Sequence, residues 1–292
     1  MIREEATKIL NMPEHFDQLW ESLTLADDFL FGKVMSDEEL CTEMIRRIFP
    51  NIEIGNIKFT QTQKSSRETL DTRGVRFDVF AKTDNRKIFS VEIQTTDKKD
   101  LPKRTRAYHI INGLDALNKD TIKTSGKYND LPDVFVIFIC TFDPFKQGRH
   151  IYNFSNVCEE DQKLKLNDGA YTVFLNTEGM RDDISSELKA FLDFVVGRKS
   201  ADPFVTKLEQ SLYDAKQNAI WRREYMLLLT REQEKFAEGR DEGKAEGLQE
   251  ANERVAVDML KKNFSLSLIE EISTLSENAI RNLATALGIA IL

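Results

Sequence analysis

The segment Arg73–Gln94, RGVRFDVFAKTDNRKIFSVEIQ, constrains the fold more than any other part of this 292-residue chain. Apolar residues recur with a period of two in two short runs, a pattern typical of β-strands with one buried face. The apolar side chains of the two runs are Val75, Phe77, Val79 and Ala81, and then Phe89, Val91 and Ile93. The polar stretch Thr83–Lys87 between them predicts the turn of a β-hairpin.

The register of this hairpin follows from keeping the apolar side chains on one face. A loop of three or five residues pairs Val79 with Val91 and Asp78 with Glu92. A two-residue turn would instead oppose Asp78 and Val91, and would mix the two faces. Because a buried face determines register, we expect the longer loop. That register places Asp78, Glu92 and Gln94 together on the other face.

Two carboxylates that face each other across strands repel one another and destabilise the sheet. A divalent cation removes this repulsion, and Mg²⁺ and Mn²⁺ favour carboxylate oxygens, with water and substrate phosphates as further ligands. The spacing of Asp78, Glu92 and Gln94 therefore suggests metal-assisted hydrolysis of a phosphodiester. The alternative is that both carboxylates are ordinary surface residues of an antiparallel hairpin.

Several stretches of the chain, in this order, resemble the PD-(D/E)XK nuclease superfamily and, more closely, the bacterial recombination-promoting nucleases, also called PD-(D/E)XK family transposases. The matching stretches are LTLADDFLFGKVM (23–35), RFDVFA (76–81), VEIQTTDKKDLPKRTRAYH (91–109), YNDLPDVFVIFICTFDPF (128–145) and EGRDEGKAEG (238–247). The lysine of the superfamily's ExK motif is Gln94 here, as in the nearer family. Glutamine can orient a water molecule but, unlike lysine, brings no positive charge.

The resemblance implies a metal-dependent DNA endonuclease with a part in DNA recombination or mobile-element biology. In that function Asp78 and Glu92 hold Mg²⁺ or Mn²⁺, and Gln94 orients the attacking water. Asp28 adds an outer carboxylate; the alternative is that it belongs to an N-terminal helix cap. A second hypothesis is a DNA-binding or oligomeric scaffold whose chemistry is weakened by the missing lysine.

Residues that follow the hairpin are candidates for holding the DNA phosphates. Between Lys98 and Arg106 five basic residues stand against one acidic residue, a local net charge of +4, although the whole chain carries −8. Arg104 and Tyr108 lie four apart on one helix face, where they could hold phosphate or brace the carboxylates. The resemblance favours Arg104, followed by Lys98 and Lys99. The alternative is a solvated charged face with a packed tyrosine.

The order of elements predicts an α/β fold with a mixed sheet, the αβββαβ core of restriction-endonuclease-like proteins. Asp133–Phe142 reads as a strand buried on both faces, Tyr171–Leu175 as a further strand and Ile184–Val196 as a closing helix. Four segments are expected: a lead-in (1–22), the nuclease-like domain (23–198), a long helical extension that could form a coiled coil (199–263) and a small helical segment (264–292).

The extension contains Gly239, Gly243 and Gly247, each of which weakens a helix. We interpret it as a variable linker or oligomerisation helix, which makes a homo-oligomer a possible partner. We expect no membrane span and no signal peptide, because no stretch is apolar for long enough and residues 1–16 contain no apolar core. The three cysteines are read as free thiols in a reducing cytoplasm, and with three histidines in the chain we expect no zinc cluster.

Overall fold

The structure is a computed structural model that describes residues 13–65, 76–118 and 127–289. The expectations for Val75, for residues 1–12 and for residues 290–292 lie outside these ranges. The helices are α1 (Pro13–Ser22), α2 (Asp28–Val34), α3 (Glu38–Ile48), α4 (Leu101–Asn118), α5 (Ser186–Val195), α6 (Pro203–Gln217), α7 (Ala219–Lys261), α8 (Leu266–Ser273) and α9 (Glu277–Leu287). The strands are β1 (Ile57–Ser65), β2 (Arg76–Thr83), β3 (Lys87–Gln94), β4 (Asp133–Cys140), β5 (Ile151–Phe154) and β6 (Ala170–Asn176).

In the described part of the chain the strands form one mixed sheet in the order β1-β2-β3-β4-β6-β5. The β1–β2, β2–β3 and β5–β6 pairs are antiparallel, and the β3–β4 and β4–β6 pairs are parallel. Helix α4 connects the parallel strands β3 and β4, as such a crossover requires. Helices α2 and α3, three strands, α4 and β4 follow one another, which confirms the predicted restriction-endonuclease-like core.

The prediction of half-buried hairpin strands is wrong, because both faces of the sheet are covered. Strand β3 is buried continuously from Ile88 to Ile93. On one face Phe80 and Ile88 pack with Tyr108 of α4. On the other face Phe89 stacks on Phe135 with ring centroids 4.8 Å apart. The alternation in the sequence therefore separates two buried layers, one of which contains the polar residues of the hairpin.

One compact unit spans Pro13–Arg223. Helix α1 belongs to it because Trp20 is fully buried and its indole N–H donates to the Lys216 carbonyl at 3.0 Å. Helix α6 belongs to it through Arg47, whose guanidinium lies 2.9 Å from the Asp202 carboxylate.

The helical region after Pro203 is interrupted, whereas a single long helix was expected. Asn218 is extended (φ −76°, ψ 103°) between α6 and α7. Its side-chain oxygen accepts hydrogen bonds from the amides of Ile220 and Trp221 at 3.0 and 3.2 Å and thereby caps α7. Asparagine competes well with helical backbone through such bonds, which explains the break at this residue.

Within the second unit, which includes the described residues 224–289, the end of α7 packs against α8 and α9. Its small core is formed by Ala256, Met259, Leu260, Ile269, Ile280 and Ala284. Ser276 caps α9 by accepting from the Ala279 amide at 3.4 Å. No helix in residues 13–65, 76–118 and 127–289 is both long and apolar enough for a membrane span.

Replacing Gly239, Gly243 and Gly247 together with alanine is expected to stabilise the middle of α7. A Cβ atom at any of the three positions would meet no atom within 4 Å. The substitutions therefore add helix propensity without a clash, about 1 kcal/mol each. Slower amide hydrogen exchange over residues 236–250 would show the gain. Faster exchange, or a change of oligomeric state, would mean instead that the glycine face receives another backbone.

Candidate active site

The hairpin closes with a three-residue loop, one of the two lengths expected. Strand β2 ends at Thr83 and β3 begins at Lys87, and Arg86 between them is left-handed with φ 59°. This geometry is common in three-residue hairpins. Val79 lies opposite Val91, which confirms the predicted register.

Beyond that pair, the carboxylates of Asp78 and Glu92 replace the backbone ladder between the two strands. The Asp78 amide donates to Glu92 Oε1 at 3.2 Å, and the Ile93 amide donates to Asp78 Oδ2 at 2.8 Å. Asp78 is only 7% exposed and Glu92 3%. Each carboxylate is thus held by the backbone of the opposite strand, and the two are brought together as predicted.

The electrostatics of this pair favour a cation. Burial, and next the charge of Asp78, raise the pKa of the Glu92 carboxyl well above its usual range. The Arg104 guanidinium, which is 3.7 Å from Glu92 Oε2, lowers this pKa but does not cancel the rise. A further positive charge at the pair would therefore stabilise the ionised form.

Arg104 is hydrogen-bonded to both Gln94 and Tyr108. Arg104 donates through Nη1 to Gln94 Oε1 at 2.7 Å and through Nη2 to the Tyr108 hydroxyl at 2.9 Å. The Tyr108 hydroxyl also forms a hydrogen bond with Glu92. The side chains on one face of α4 thus brace the carboxylates, one of the two roles considered for Arg104 and Tyr108.

The basic segment contributes less to this group than its composition suggested. Lys99 is ion-paired with Asp97, and this hydrogen bond lowers the pKa of the Asp97 carboxyl. With Asp97 counted, the segment from 97 to 106 has five basic and two acidic residues, a net charge of +3. Lys98 is exposed on the same loop. A role for Lys98 or Lys99 in DNA binding remains a prediction.

Asp28 is the first residue of α2, and Asp27 provides the cap of that helix. The Asp27 carboxylate accepts from the Leu30 amide at 3.0 Å. Within the described residues, no cluster of three or more histidine, cysteine or acidic side chains could hold a metal ion. The contribution of Asp28 to the pair formed by Asp78 and Glu92 therefore stays a prediction.

The residues present fit a magnesium or manganese ion. Two adjacent carboxylates, with four oxygens between them, are the ligands that these ions prefer, and Mg²⁺ is usually bound by one or two carboxylates plus water and substrate phosphate. Burial, and next the charge of Asp78, raise the pKa of the Glu92 carboxyl, so a bound cation would favour its ionised form. Asp78 and Glu92 would hold the ion.

Two features of the site were not foreseen in the sequence. The hydrogen bond from the Ile93 amide to Asp78 is a backbone contact that no residue type signals. The support under β3 is the second: Asn112 of α4 donates to the Ser90 hydroxyl at 2.9 Å in a buried position. Ser90 lies on the same face of β3 as Glu92 and Gln94. The alternation of polar and apolar residues in the sequence is the signal that could have identified it.

Comparison with protein-family profiles matches residues 26–210 to the PD-(D/E)XK nuclease family transposases. Comparisons with curated proteins and with solved structures returned no match. The matched region includes the hairpin carboxylates, Gln94 and the α4 residues that brace them, and it covers more than half of the sequence. The chain belongs to the PD-(D/E)XK nuclease family transposases.

Proposed function

We propose that this protein is a metal-dependent endodeoxyribonuclease. The observation that carries the proposal is the buried pair of Asp78 and Glu92, each held by the opposite strand. Such a pair is costly to a fold unless a cation compensates it. Family membership makes nuclease chemistry the natural use of that cation.

In this function Asp78 and Glu92 hold Mg²⁺ or Mn²⁺ at the end of the hairpin. The bound ion acts as a Lewis acid towards the phosphate and lowers the pKa of water. The protein itself orients the two carboxylates, and Arg104 steadies the scissile phosphate. Asp28 is proposed as an outer carboxylate, and Lys98 and Lys99 as contacts to neighbouring phosphates.

The family and the thiols support the cellular setting that we propose. The family points to a part in DNA recombination or mobile-element biology. Cys41, Cys140 and Cys158 are free, which supports a reducing cytoplasm. The long helix α7 is the proposed route to a homo-oligomer.

A second candidate is a nuclease-like scaffold that binds DNA without cleaving it. The observation that favours it is Gln94, which stands where the wider superfamily has a lysine. The two candidates differ in a simple way: a scaffold binds DNA in the absence of metal and leaves its backbone intact.

Cleavage of supercoiled plasmid, single-stranded DNA and RNA with Mg²⁺ or Mn²⁺ tests the proposal. We expect nicking of DNA that stops on chelation and resumes when the ion is restored. DNA binding without cleavage under every metal condition would favour the scaffold. Cleavage of RNA alone would change the substrate class.

A further inference from the structure

We propose that Arg104 supplies the positive charge that the superfamily's lysine supplies, and that Gln94 positions Arg104 instead of orienting the attacking water. This inference rests on the proposed nuclease function. It assigns a new role to Gln94 and makes Arg104 the counterpart of the superfamily's lysine, and it explains how a site with ExQ instead of ExK can remain active.

The Gln94 amide is engaged on both sides within the protein. Its oxygen accepts from Arg104 Nη1 at 2.7 Å, and its nitrogen donates to the Ile93 carbonyl at 2.7 Å. Only this orientation of the amide satisfies both partners, because an oxygen facing Ile93 would meet another acceptor. Turning the amide towards a water molecule would break at least one of the two bonds.

The Arg104 guanidinium is held beside the carboxylates by four different groups. Gln94 and Tyr108 accept hydrogen bonds from its two Nη atoms, and Glu92 Oε2 lies 3.7 Å from Nη2. Its Cζ atom also lies 5.6 Å from the centroid of the Phe138 ring, within the range of a cation–π contact. An arginine restrained in this way presents its charge in a fixed place.

The side chain of Arg104 is nevertheless 29% exposed, whereas that of Glu92 is 4% exposed. The guanidinium has five N–H donors in one plane, and the hydrogen bonds to Gln94 and Tyr108 use two of them. Donors therefore remain for a phosphate that approaches from solvent, and arginine matches phosphate oxygens in a bidentate manner.

The chemistry expected of Arg104 is charge stabilisation and not proton transfer. In hydrolysis water adds to phosphorus, the bond to the leaving oxygen breaks, one proton of the water passes to solvent, and the leaving oxygen takes up a proton. Negative charge accumulates on the phosphate oxygens during this step. A guanidinium stays protonated, so it can stabilise that charge but cannot accept the proton of the water.

Variants that move the positive charge from position 104 to position 94 test the inference. Arg104→Gln is expected to lower kcat about a hundredfold with KM nearly unchanged, because a group that acts in the transition state changes kcat. The double variant Gln94→Lys with Arg104→Gln has lysine at the superfamily position. Its kcat should be at least about tenfold higher than that of Arg104→Gln alone. Arg104→Lys should also retain more activity than Arg104→Gln.

Arg86→Gln provides the matched control. Arg86 lies just before β3, at the opposite end of that strand from Gln94, and its guanidinium pairs with Asp130 at 2.7 Å. This variant also loses one arginine charge, and its cleavage rate should equal that of the wild type. Thermal unfolding of every variant shows whether the fold is retained.

Three results would overturn the role of Arg104 in folded protein. In the first, Arg104→Gln has the kcat of the wild type. In the second, Arg104→Gln changes only KM. In the third, neither lysine-bearing variant has a higher kcat than Arg104→Gln. The proposed function fails separately, when the wild type itself shows no metal-dependent cleavage. Metal-dependent cleavage by the wild type is measured first, so the two failures are distinguishable.

Discussion

Replacing Glu92 with glutamine is expected to make the metal-free protein more stable at neutral pH while abolishing cleavage. Burial, and next Asp78, raise the pKa of the Glu92 carboxyl. Because the folded protein holds this proton more tightly than the unfolded chain does, the free energy of unfolding falls as the pH rises above the usual glutamate range. Glutamine removes the charge and keeps an oxygen that can accept from the Asp78 amide.

The gain at neutral pH is about 1.4 kcal/mol for each tenfold difference in proton affinity between the folded and unfolded states. Denaturant unfolding in a chelating buffer, repeated from about pH 4 to about pH 8, measures it. The stability difference between Glu92→Gln and wild type should grow with pH. Glu53→Gln, an exposed control, should show no such trend. A difference that is independent of pH would contradict the assignment of a repelled, buried charge.

Two substitutions of Asp78 are expected to be equally inactive but unequally stable. Asparagine keeps an oxygen for the Ile93 amide, which donates to Asp78 Oδ2 at 2.8 Å, whereas alanine leaves that buried donor without a partner. The alanine variant should therefore be about 1–3 kcal/mol less stable than the asparagine variant. Both should cleave DNA at least about a thousandfold more slowly, since each loses a metal-ligating carboxylate.

The unfolding midpoints of Asp78→Ala and Asp78→Asn check the first part, and single-turnover cleavage checks the second. Equal stability of the two variants would mean that the Ile93 amide does not depend on this carboxylate. Cleavage by Asp78→Asn at the wild-type rate would remove Asp78 from the site altogether.

The register of the hairpin could be predicted because one chemical rule determines it. Keeping Val79 and Val91 on a common face requires the observed pairing, and Asp78 and Glu92 then follow by parity. What covers each face could not be predicted in the same way. Alternation separates two faces of a strand, but the burial of Glu92 depends on α4, which lies later in the chain.

The charge around the site could likewise be predicted only in part from the sequence. Composition indicated a basic segment after β3, but Asp97 lies one residue before it and pairs with Lys99. Conversely, Arg104 could be selected from its neighbours only through the resemblance to a family. Its contacts with Gln94 and Tyr108 depend on how α4 docks on the sheet, and this docking is a tertiary property.

The most direct test of the account is the rate at which supercoiled plasmid is nicked in Mg²⁺ by wild type, Asp78→Asn and Glu53→Gln side by side. We predict metal-dependent nicking by the wild type and by Glu53→Gln, and none above background by Asp78→Asn although it is folded. Equal rates in all three proteins would contradict the claim that the buried carboxylate pair of the hairpin is the active site.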